Sequence, residues 1–154
     1  MKIHKLILLI LICTPAFFTY SQVNQVDAQG RKQGVWEKKY KSSVAYEYKG
    51  QFKNDQPIGT FTYYYPSNKV KVVMKHDEKT KRSESYMYYE SGNLMSFGIY
   101  KNQKKDSVWT IFGPSKRISA RETYKNDVLD GKSIVYYVPE DIMDKSVKIA
   151  KEST

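Results

Sequence analysis

The sequence predicts an all-β protein, an antiparallel array of about five β-hairpin repeats forming an extended twisted sheet. A unit of 24 residues recurs in register along the chain, and each unit carries two short runs of Tyr, Phe, Val and Ile. Composition agrees: beyond residue 21 there are thirteen tyrosines but only two leucines, Leu94 and Leu129, which suits pleated sheet surfaces better than a helical bundle.

The period is read from Gly59-Thr60-Phe61-Thr62-Tyr63-Tyr64 onward. Stepping by 24 carries Gly59 to Ser83, Ser107 and Gly131, and Tyr63 to Met87, Ile111 and Val135. Tyr64 becomes Tyr88, Phe112 and Tyr136, so an aromatic recurs beside an apolar residue in every copy. In the second half of the unit Val70, Leu94, Ile118 and Ile142 share one position, and His76, Tyr100 and Tyr124 another. The first copy, Gly34-Val35-Trp36 through Phe52, fits with a one-residue length difference.

Turn chemistry separates the runs. Ser91-Gly92-Asn93 is the clearest internal turn, because Gly92 and Asn93 tolerate positive φ between strand-forming neighbours. Lys53-Asn54-Asp55, Lys101-Asn102-Gln103 and Lys125-Asn126-Asp127 close the units, with asparagine in the same role and Asp77-Glu78-Lys79 as the divergent member. Alternation places Phe61, Tyr63 and Tyr65 on one face, and likewise Val70, Val72, Met74 and His76. Tyr64, Tyr88, Phe112 and Tyr136 fall on the opposite face, so both faces carry aromatics, which suits a single-layer sheet.

The ends of the chain depart from the unit. Residues 1–21 read as a signal peptide: Lys2 and Lys5 precede an apolar run from Leu6 to Phe18 that is short for a bilayer span, and Thr19 and Ser21 suit cleavage before Gln22. Cys13 gives a lipoprotein alternative. The repeat domain is expected over residues 22–139. The tail, residues 140–154, has Pro139-Glu140-Asp141 at a helix-like start and Met143, Val147 and Ala150 at helical spacing. A short helix capping the last sheet edge is expected there, with a fifth full hairpin through Ile142 as the rival.

Loss of residues 1–21 removes the only cysteine and leaves His76 as the single histidine, so no disulfide, thiol chemistry or Cys/His zinc cluster is expected. The mature chain keeps 24 basic residues against 16 acidic ones. Such an excess favours polyanions, either an anionic membrane surface or acidic glycans, while export makes nucleic acid a poor partner. The expected location is periplasm, cell surface or medium.

The unit Gly-x-Phe/Trp-x-x-Tyr-Tyr, turn, Val/Leu, then Tyr-x-Asn-x-x-x-x-Gly resembles the variant MORN repeat of bacterial proteins, over roughly Gly30 to Pro139. Ser83 and Ser107 depart from the opening glycine, Ser85 and Ser133 from the opening aromatic, and Lys116 from the turn glycine seen at Gly92. The resemblance implies a repetitive antiparallel sheet used for interaction, with membrane or protein association, and supplies no catalytic residues. Many such relatives are labelled antitoxin-like, a role that sits poorly with export.

Two candidate binding surfaces follow. Tyr64, Tyr88, Phe112 and Tyr136 recur at one phase and form an aromatic face able to stack on sugar rings or pack against a protein. Lys79, Lys81 and Arg82 lie one repeat before Lys104 and Lys105, so a hairpin array brings them to one edge, where lysines either bind anions or keep the edge unpaired. No nucleophile elbow or phosphate-cradling glycine loop occurs. The expected function is therefore a non-enzymatic interaction or scaffolding module for an envelope protein, without metal or cofactor, with anionic-surface or glycan binding as the alternative.

Overall fold

A computed structural model describes residues 22–137 and 148–153. Among the described residues, eleven strands form one antiparallel sheet in which every strand neighbours its predecessor in sequence. After the two-residue β1 (Gln25–Val26) come five hairpins: β2 (Lys32–Lys39) with β3 (Tyr46–Lys53), β4 (Gln56–Tyr64) with β5 (Val70–Asp77), β6 (Arg82–Tyr88) with β7 (Leu94–Lys101), β8 (Lys104–Phe112) with β9 (Ile118–Lys125), and β10 (Val128–Tyr137) with β11 (Lys148–Ser153). The predicted hairpin array is the observed fold.

The turns form for the reason the sequence gives. Asn54 and Asp55, Asn102 and Gln103, and Asn126 and Asp127 all have positive φ, which makes each pair the centre of a two-residue turn whose twist matches its strands. At the opposite edge Asn68, Gly92 and Lys116 take φ of 65°, 88° and 64°. Each follows a tight turn closed back onto Tyr65, Tyr89 or Gly113. Lys116 thus holds the turn that Gly92 marks, and accepts left-handed strain to do so.

Every hairpin carries a bulge at a fixed place. Lys38 pairs with Tyr48 and Lys39 with Tyr46, which leaves Glu47 surplus. The surplus residue is Lys71 in β5, Met95 in β7 and Ser119 in β9, so the first four bulges follow the 24-residue period. Alternation is broken there: Tyr63 opposes Val72 but Tyr64 opposes Val70, so Val70 and Val72 point to opposite faces, not to the shared face that spacing alone suggests. Each bulge raises the local right-handed twist.

A second irregularity lies between hairpins. Lys49 pairs with Thr62 and Gln51 with Ile58, giving β4 two surplus residues; β8 and β10 have the same excess. Gly59 and Ser107 occupy these bulges at φ 62°. Between β5 and β6 the register is unbroken, and the two residues appear instead in the loop from Asp77 to Arg82. The divergent Asp77-Glu78-Lys79 turn therefore keeps the period by moving the surplus from strand to loop.

The tail differs from the expected helix. Lys148–Ser153 is a strand, with Ile149 opposite Tyr136. Ile149 takes the slot held by Val70, Leu94 and Ile118 in earlier hairpins, the slot that spacing offered to Ile142. Pairing with β10 satisfies a row of backbone groups that a helix packed on the edge would leave open, and this outweighs a weak three-residue apolar stripe. Ile142, and the expected helix start at residues 139–141, lie outside the described residues.

One face, here the core face, holds the packed rings. Phe61 and Trp109 are each only 2% exposed. Phe61 lies on Gly50 and Trp109 on Gly98, and a Cβ at either glycine would overlap the ring. Phe52 meets Phe61 edge-on at 5.0 Å, Trp36 meets Phe52 at 5.8 Å and Tyr100 meets Trp109 at 5.0 Å. Each buried aromatic removes roughly 150–250 Å² from water, an upper limit of about 4–6 kcal/mol, which lets a single-layer sheet dispense with an aliphatic core.

Successive hairpins also interlock at both edges. The hydroxyls of Tyr40, Tyr65 and Tyr89 donate to the carbonyls of Tyr64, Tyr88 and Phe112 at 2.7, 2.7 and 2.9 Å. At the other edge the Asp55 carboxylate accepts from Lys32 N at 2.8 Å and the Asp127 carboxylate from Lys105 N at 2.6 Å. The exposed edge of β2 is capped by Asn24, whose backbone N donates to Val35 O while its side-chain oxygen accepts from Glu37 N, both at 2.9 Å.

Candidate functional site

The opposite, open face carries a shorter aromatic cluster. Cross-strand pairing runs Val73 to Tyr86, Tyr86 to Phe97, Phe97 to Thr110 and Thr110 to Arg121, so these side chains form one row across β5 to β9. Tyr86 and Phe97 stack at 6.3 Å with 20° between planes, and Phe97 lies 6.2 Å from Phe112 at 31°. Phe97 remains 39% exposed, an uncommon state for a phenylalanine already held between two rings. The Lys75 ammonium sits 5.4 Å from the Tyr86 ring, and the Tyr86 hydroxyl donates to Glu84 at 3.1 Å. Three near-parallel rings flanked by a cation and an acid make a rigid apolar platform with a polar rim.

The four aromatics singled out by their spacing are all half-buried, and each takes its own setting. Phe112 joins the platform through Phe97. Tyr64 packs on Tyr46 at 6.4 Å, and Tyr136 lies 6.0 Å from the Arg121 guanidinium. The backbone carbonyls of Tyr64, Tyr88 and Phe112 receive the tyrosine hydroxyls of the preceding hairpin. Periodicity at this slot thus reflects the joint between repeats.

The five basic residues do share an edge: Asn102 N donates to Lys81 O at 3.2 Å and joins the β5–β6 and β7–β8 turns. Their charges are deployed differently. Arg82 reaches Asp106 at 3.9 Å, while the Lys105 ammonium lies on the core face, 4.7 Å from both the Trp109 and Tyr124 rings. Lys79, Lys81 and Lys104 have no ion pair among the described residues, and Asp77, Glu78 and Asp106 share the neighbourhood. The edge is mixed in sign.

A depression of about 980 Å³ opens on the core face across β5 and β6. Met74, His76 and Ser83 line its middle, Tyr63 and Tyr100 stand on the flanking strands β4 and β7, and Lys81 and Asn102 are at the turn edge. His76 packs edge-on against Phe61 at 5.4 Å and shares a 2.8 Å hydrogen bond with Ser83 Oγ through Nδ1. Its Nε2 is buried without a hydrogen-bond partner among the described residues, and desolvation holds the imidazole below its usual pKa. Among the described residues no three His, Cys, Asp or Glu side chains converge as a metal-ligand group.

Comparison with protein-family models, with curated proteins and with solved structures gives no match. The functional reading therefore rests on this chain's own geometry.

Spacing missed the two central platform residues because neither is periodic. The slot of Phe97 holds Lys49, Val73 and Arg121 in other copies, and that of Tyr86 holds Thr62, Thr110 and Ile134. The available signal was the departure itself. On a repetitive scaffold, a residue that breaks the pattern is not needed for the joint and is free to serve a site.

Proposed function

We propose that this chain is an exported, non-enzymatic member of the variant MORN-like hairpin-repeat class that docks a protein of the cell envelope on its open sheet face. The observation that carries the reading is the Tyr86–Phe97–Phe112 platform, in which a phenylalanine is 39% exposed while fixed between two rings. Pre-ordered aromatic area is what protein interfaces use as anchors, because little side-chain entropy remains to be lost on binding. The interlocked turns and fixed bulges support the same reading, since they hold the platform on a rigid scaffold.

A photo-crosslinking residue placed at Val108, which is 49% exposed on the platform side, tests the proposal in exporting cells. A discrete adduct is expected that persists at high salt and disappears when Phe97→Asp is added to the same chain. Absence of an adduct, or an adduct indifferent to Phe97→Asp, overturns it.

The second reading, binding of an anionic surface through the turn edge, is favoured by Lys79, Lys81 and Lys104, which have no ion pair among the described residues and lie on joined turns. It predicts binding to acidic vesicles that falls steeply with salt, because exposed charges are screened within about 8 Å at physiological ionic strength.

A further inference from the structure

The depression on the core face coincides with a place where the repeat changes form. Between β5 and β6 the surplus residues move into the loop, and the aromatic of the core row is replaced: Ser85 stands in the slot of Phe61 and Trp109. In the same hairpin pair His76 replaces the Phe52, Tyr100 and Tyr124 of the other copies. A smaller set of side chains here, between complete aromatic copies on either side, produces a trough.

We propose that this trough binds a carboxylated pyranose unit of an acidic oligosaccharide. Its two tyrosine walls stand three strand spacings apart, roughly 14 Å across the sheet, and four residues apart along the strands, which leaves room for a sugar ring to lie against one of them. Tyr63 and Tyr100 present aromatic surface for the apolar side of a pyranose, and neither hydroxyl makes a hydrogen bond among the described residues. Turn amides, Asn102 and Gln103 among them, border the trough and offer both donors and acceptors to sugar hydroxyls.

Charge selects the sugar. Of the cations lining the trough, Lys53 is paired with Glu78 at 3.3 Å and Arg82 with Asp106 at 3.9 Å, whereas Lys81 has no ion pair among the described residues. Asp77 also lines the trough, but its Oδ1 is held by the Lys79 and Thr80 amides of its own turn at 2.8 and 3.3 Å, which leaves the Lys81 ammonium to meet a ring that bears a carboxylate. The site lies on the face opposite the Phe97 platform, so it stands or falls independently of the protein-docking reading.

Calorimetric titration of the mature protein with oligogalacturonate, sialyllactose and a neutral cello-oligosaccharide tests the proposal. Saturable binding of either acidic sugar is expected, with the neutral one at least about tenfold weaker, and the acidic sugar that binds identifies the source. Lys81→Gln, a loop change, is expected to cost about tenfold. His76→Tyr, which restores the ring of the other copies and fills the trough, is expected to abolish binding while the melting temperature holds. No binding of either acidic sugar at millimolar concentration, equal binding of the neutral one, or full affinity in both variants overturns it; Phe97→Asp is expected to have no effect.

Discussion

The hydroxyl of Tyr65 donates a 2.7 Å hydrogen bond to the backbone carbonyl of Tyr88, one hairpin further along the sheet. Tyr40 and Tyr89 repeat the bond to Tyr64 and Phe112. Each gives a half-buried carbonyl a partner and fixes the turn of one repeat to the strand end of the next. Tyr65→Phe is expected to lower unfolding free energy by about 1 kcal/mol in urea titration, and the double change of Tyr40→Phe with Tyr89→Phe by about twice that, since those two bonds share no residue or peptide unit. Unchanged midpoints would show that the bond contributes nothing net.

Gly98 lies directly beneath the Trp109 indole. Gly98→Ala therefore forces the ring off its strand and is expected to cost about 1–3 kcal/mol, visible as a lower melting temperature and a blue-to-red change in tryptophan emission as the indole, now 2% exposed, meets water. Gly92, which has open space around it, provides the contrasting site: its substitution changes backbone strain without touching a ring.

Ser107 and Lys116 hold left-handed conformations at φ 62° and 64°. A non-glycine residue pays about 1–2 kcal/mol there, against about 0.5–1 kcal/mol of extra unfolded-state entropy for glycine. Ser107→Gly and Lys116→Gly are each expected to stabilise by about 0.5–1 kcal/mol in the same urea assay. Destabilisation by Lys116→Gly would mean that its side chain supports the turn.

Burial lowers the His76 pKa in the folded state, so the unfolded chain binds the proton more readily. The stability tied to the neutral ring is fully present above the ordinary imidazole pKa of about 6.5 and is lost as pH falls through the lower, folded value. Wild type is expected to lose stability on that acid-side interval, and His76→Phe to be flatter over it. Parallel pH profiles for the two proteins would show that the ring titrates as freely folded as unfolded.

The hairpins, their turns and their period were legible because the aromatic slot of Tyr64, Tyr88, Phe112 and Tyr136 and the Lys-Asn turns recur in register, and recurrence survives without knowledge of packing. Faces were legible only between bulges. Val70 escaped the two-residue rule because Lys71 is inserted between it and Val72, an event that leaves no compositional mark. The last strand was misplaced for a related reason: spacing pointed to Ile142, whereas Ile149 completes the pairing. Of the candidate surfaces, Phe112 was reached through its periodic slot, but Phe97 and Tyr86 could be found only by asking which positions refuse the pattern.

Because the inserted residues at Glu47, Lys71, Met95 and Ser119 fall at equal intervals, each module adds the same increment of bend and turn to the ribbon. A gene encoding such a ribbon can gain or lose a whole module without re-tuning its neighbours, since the incoming piece brings its own curvature. Departures such as those at His76 in the second hairpin and Phe97 in the third can then accumulate in single modules while the others preserve the geometry.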